Sequence, residues 1–76
     1  MITVKISLES MRGRRPLSTL VQVKSWEEYQ EHKATYKDKA IAKICYDRKM
    51  TIRDLVKYGY NIIKAEVYNN EKNTYQ

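Results

Sequence analysis

The sequence predicts an α+β fold in a single domain of 76 residues: a two-stranded antiparallel hairpin over 1–24, a helix over 25–36, and a three-helix core over 38–70, with a tail at 71–76. Three observations predict it. Ile2, Val4, Ile6 and Leu8 alternate with Thr3, Lys5, Ser7 and Glu9, the period of a half-buried strand. Ser25 with Glu28, and Thr51 with Asp54, have the spacing of capping boxes and so mark two helix starts. Gly13 and Gly59, the two glycines of the chain, fall where a loop and a helix end are needed.

The first strand is followed by Ser10 to Pro16, SMRGRRP, a connection longer than a tight turn. Leu17 to Lys24 then places Thr19, Val21 and Val23 on one face and Leu20 and Gln22 on the other, with β-branched residues that favour a second strand. Ser25 caps a helix from Trp26 to about Ala34. Trp26, Tyr29 and Tyr36 recur at spacings that fit one buried helical face, while Glu27, Glu28 and Glu31 complement the helix dipole. Asp38 is the candidate cap of a third helix running to about Lys49, with Ile41, Ile44 and Cys45 buried and Lys39, Lys43 and Arg48 facing out.

Thr51 opens the next helix, with Ile52, Leu55, Val56 and Tyr58 on one side, and Gly59 stops it in the left-handed conformation. Asn61 caps a last helix in which Ile63 and Val67, four residues apart, form the buried stripe. Its exposed side carries Asn61, Lys64, Ala65 and Tyr68. Two helices joined by a short glycine-containing turn make a helix-turn-helix over 51–70.

Residues 40–69 resemble the three-helix core of helix-turn-helix DNA-binding proteins, of the winged-helix-like kind common among small phage, plasmid and mobile-element proteins. The chain departs from that pattern at Leu55, where a small residue is common, and at Ala65, where a larger apolar residue is. The wing of such proteins usually follows the last helix, whereas here the arginine-bearing hairpin precedes it. The resemblance implies DNA as partner, with duplex favoured, and a role in transcription regulation or replication. Asn61, Lys64 and Tyr68 would then face base edges, where Asn pairs with adenine and Lys with guanine. Separately, no segment has the apolar length of a signal peptide or a membrane span, and the cytoplasm is the expected compartment.

Charge supports the same partner by an independent route. The chain carries fifteen Lys and Arg against nine Asp and Glu, a net charge of +6. The excess is divided as +4 over 1–24, −2 over 25–35 and +4 over 36–76, so two basic regions flank an acidic helix. Arg12, Arg14 and Arg15 crowd one loop, where mutual repulsion makes best sense opposite an anion such as phosphate; the alternative is a solvated loop whose charges keep the hairpin edge from pairing with another chain. With Arg53 and Lys57 they would fix register through phosphates.

Two other functions use the same residues. Tyr46, Lys57, Tyr58, Tyr60, Lys64 and Tyr68 interleave aromatic and cationic groups, as a single-stranded DNA-binding accessory protein of a replication enzyme would. A protein-protein adaptor would instead use the tyrosine-rich surface and add the strand Ile2 to Leu8 to a partner's sheet edge. A homodimer, having no heptad seam, would use the hairpin or the Trp26 helix.

Enzymatic action has no paired-carboxylate, glycine-rich or metal-ligand spacing behind it, and no cofactor is implied. The single cysteine, Cys45, reads as a small core residue, and His32 has no assigned role. At this length only about 60% of the unfolded surface is buried on folding, so the stability margin is thin.

Overall fold

The computed structural model describes residues 1–68. The tail expected at 71–76 and the last residues of the segment 51–70 lie outside them. The elements run β1 (Ile2–Ser10), β2 (Leu17–Val23), α1 (Trp26–Glu31), α2 (Lys33–Arg48), α3 (Ile52–Lys57) and β3 (Tyr60–Val67). The strands form one antiparallel sheet in the order β2-β1-β3.

The third strand corrects the sequence reading. A two-stranded hairpin leaves one edge of β1 unpaired, although Val4, Ile6 and Leu8 are at most 1% exposed. β3 fills that edge, pairing Leu8 with Ile63, Ile6 with Ala65 and Val4 with Val67. The segment taken for a last helix is this strand, so, among the described residues, 51–68 do not form the expected helix-turn-helix, nor 38–68 a three-helix core. The Ile63 and Val67 spacing misleads because four is an even number: it suits a helical stripe and a period of two equally well. The β-branched run and the free edge of β1 decide for strand, a case of tertiary pairing overriding a local pattern.

β1 is therefore the central strand. It is not the free strand that an adaptor would lend to a partner's sheet.

The helices lie on one face of the sheet. Val4, Ile6, Val23, Tyr29 and Ala40 form one buried cluster, bordered by Trp26, Tyr36, Ile63 and Ala65. Leu8, Leu17, Ile44 and Leu55 form a second, bordered by Ile41, Cys45, Met50 and Tyr60. Cys45 is thus half-buried against the core. Side-chain alternation sends Lys5, Ser7 and Glu9 of β1, Leu20 of β2 and Lys64 and Glu66 of β3 to the opposite, uncovered face.

Helix starts were well marked where caps exist. Thr51 and Asp54 form the complete reciprocal box: Asp54 N–H donates to Thr51 Oγ1 at 3.1 Å, and Thr51 N–H to Asp54 Oδ2 at 3.0 Å. At α1, Glu28 N–H donates to Ser25 Oγ, while the Glu28 carboxylate accepts from Lys24 N–H. Asp38 caps nothing. α2 already begins at Lys33 after an irregular residue, His32, because no glycine or proline separates the two helices.

α2 ends in a Schellman motif. Met50 N–H donates to Cys45 O and Lys49 N–H to Tyr46 O, with Lys49 left-handed at φ 54°.

Candidate nucleic-acid interface

The loop between β1 and β2 does not project freely; it is bonded to the turn between α3 and β3. Met11 N–H donates to Gly59 O at 2.9 Å. Ser10 Oγ donates to Tyr58 O at 2.6 Å, and Tyr60 Oη donates to Arg15 O at 2.7 Å. Gly59 makes this approach possible. It is left-handed at φ 76°, and a Cβ there would meet Arg12 Cγ at 3.0 Å.

The same turn opens β3 with a bulge. The register skips Asn61, whose N–H bonds back to Gly59 O, so Ser10 pairs with Tyr60.

These bonds gather the cations. The Arg14 guanidinium lies 3.8 Å from the centroid of the Tyr58 ring, and Lys57 Nζ lies 5.7 Å from the same centroid. A guanidinium over a ring face keeps N–H donors in its own plane that the ring does not bond, and these are free for an anion. Arg53 stands one turn before Lys57 on the exposed surface of α3, four residues apart on one face. The C-terminus of α2 approaches the same end through the packing of Ile44 on Leu8 and Leu17, and brings Arg48 and Lys49 with it.

Among the described residues, the only ion pairs are Lys64 with Glu9 at 3.1 Å and His32 with Glu28 at 4.0 Å. None of the loop arginines takes part in either. Asp54, the nearest carboxylate in sequence to Arg53 and Lys57, is bound into the helix cap.

Of the residues expected to contact nucleic acid, Arg12, Arg14, Arg15, Lys57 and Asn61 meet at this end, with Arg53 beside them. Lys64 and Tyr68 do not. Lys64 sits on the uncovered sheet face against Glu9, and Tyr68 lies at the far end of β3, where its N–H donates to Thr3 O at 2.8 Å. Strand geometry separates what a helix would have aligned.

Nothing local in the sequence marks Ser10, Gly59 O or the Tyr58 face as the seat of the loop. These contacts join residues more than forty positions apart. Their only hint was a left-handed glycine beside tyrosines.

The opposite end has another character. Trp26, Tyr29 and Tyr36 stack with centroids 5.1 and 5.8 Å apart, and Tyr36 Oη donates to Glu28 Oε1 at 2.7 Å. That bond holds the Glu28 carboxyl below its usual value and the Tyr36 phenol above its own. Burial raises Tyr29, whose hydroxyl has no partner among the described residues.

No group of His, Cys, Asp and Glu is placed to hold a metal, and no helix is long and apolar enough to cross a membrane, among the described residues. Together, fold and site define a basic α+β chain with one three-stranded sheet and a cationic end. Compared with protein-family models, curated proteins and solved structures, the chain matches none.

Proposed function

We propose that the arginine-loop end binds the phosphate backbone of duplex DNA with little dependence on sequence. One observation carries the reading: three arginines are held in a loop anchored by main-chain and side-chain hydrogen bonds, next to Lys57 and Arg53, with no carboxylate paired to them among the described residues. Gathering like charges costs Coulomb energy, which a polyanion offsets through counterion release. Anchoring the loop beforehand lowers the conformational entropy lost on binding. Arg12, Arg14, Arg15, Arg53 and Lys57 contact phosphates, and Asn61 sits at the margin. Contacts of this kind position a protein without reading bases.

The single-strand alternative is less well supported by the geometry. Arg14 already covers one face of Tyr58, the Tyr60 hydroxyl is bound to Arg15 O, and Lys64 and Tyr68 lie away from the loop.

Fluorescence polarization against duplex and single-stranded oligonucleotides of one sequence, over a salt series, tests the proposal. Binding to duplex should weaken with salt by about 0.9 log unit per log unit for each phosphate contacted. Equal affinity for a scrambled duplex is expected. A clear preference for the single strand would replace this reading with the alternative.

A further inference from the structure

The two outer strands of the sheet differ at their free edges. On β2, Lys43 Nζ reaches from α2 and donates to Leu20 O at 3.0 Å, covering an outward carbonyl with a charged side chain. That is a recognised guard against strand addition. Among the described residues, no side chain covers the outward edge of β3 in this way. Tyr68 N–H donates to Thr3 O, which fixes the phase of the β1–β3 ladder. Main-chain groups alternate in direction along an antiparallel strand, so those of Lys64 and Glu66 face β1 while those of Ile63, Ala65 and Val67 face outward. Among the described residues, nothing bonds to these outward groups. Val67 is 49% exposed.

We propose that this edge pairs with the same edge of a second copy of the chain, antiparallel, about a two-fold axis at Ala65. Charge selects both the occupant and the register. With Ala65 opposite its own counterpart, Lys64 faces Glu66 of the other copy, and the symmetry repeats that pair. Ile63 meets Val67 on the helix side in the same register, covering exposed apolar surface. Moving the axis by one residue sets Lys64 against Lys64 or Glu66 against Glu66, and like charges directly opposite destabilise a ladder. The edge is thus self-complementary in one register, as an isologous interface requires. Pairing of two edges alone covers little area, so the dimer is concentration-dependent. The two sheets become one, with the arginine loops at its opposite ends.

Analytical ultracentrifugation over a dilution series tests this independently of DNA binding. The wild-type chain should show a monomer–dimer equilibrium. Lys64→Glu and Glu66→Lys should each weaken it by about tenfold, since each turns two attractive pairs into two repulsive ones. An equimolar mixture of the two variants should regain the dimer, because every cross-strand pair is then opposite in sign. The mixture does not restore the intrachain Lys64–Glu9 pair, so regained dimer reports the intermolecular contact alone. Circular dichroism establishes that each variant is folded. A wild-type chain that stays monomeric, single variants that dimerise like wild type, or a mixture that fails to associate would each overturn the proposal. So would a dimer abolished only by Ile52→Lys with Val56→Lys, which would place the contact on α3.

Discussion

The two ends of the molecule are held by different forces. At the aromatic end, Tyr29 is buried between Trp26 and Tyr36 and packs with Val4, Ile6, Val23 and Ala40. At the arginine end, the core thins to Leu8, Leu17, Ile44 and Leu55, and two apolar residues of α3, Ile52 and Val56, are 67% and 72% exposed. What holds that end in shape is a helix cap, a left-handed glycine and the bonds between loop and turn. One end supplies stability through buried apolar area; the other presents charge on a polar, hydrogen-bonded frame. A small chain that must gather cations gains by keeping them away from the core, where their desolvation would be costly.

Substitutions should expose this contrast. Ile6→Ala, beneath the aromatic end, should lose about 2–5 kcal/mol in urea unfolding, whereas Val56→Ala should change stability by no more than about 0.5 kcal/mol. Gly59→Ala must adopt a left-handed backbone and displace Arg12. It should lose about 1–2 kcal/mol and weaken duplex binding as well, a combined effect that no aromatic-end substitution should show.

Thr51→Ala removes half of the capping box and should cost about 1 kcal/mol. Lys49→Gly relieves a left-handed lysine and should raise the melting temperature, by an amount worth about 1 kcal/mol. Tyr29→Phe should be neutral or stabilising, because the hydroxyl it removes has no partner.

The smallest effect concerns pH. The folded-state value of Glu28 is depressed, chiefly by the Tyr36 hydrogen bond. Its contribution is therefore present above the unfolded carboxylate value and lost as pH falls through the lower folded one. Tyr36 is raised, so its contribution is present below the unfolded phenol value and lost as pH rises through the folded one. Tyr36→Phe should flatten both limbs of the stability profile. Limbs unchanged by that substitution would show that the bond does not persist in solution.

The first two strands and two of the helix starts were legible in the residues: β1 alternates cleanly, β2 less so because Leu20 falls on its outer face, and Ser25 and Thr51 mark their helices with local chemistry. The last strand was not. Ile63 and Val67 satisfy helix and strand alike, and only the unpaired side of β1, more than fifty residues away, resolves the choice. The same distance hid the site. Three arginines in SMRGRRP announced a cationic loop, but nothing local indicated that Tyr58 and Gly59 would receive it. Lys64 and Tyr68 were drawn in by the mistaken helix, and they left the site when it became a strand.

The central claim is most directly tested by the salt dependence of duplex affinity, measured for the wild-type chain and for Arg14→Ala with Arg15→Ala. The account predicts a folded variant with weaker binding and a slope shallower by about 1.8, two phosphate contacts fewer. A slope and affinity equal to those of wild type would contradict it, because the loop would then carry its charge without using it.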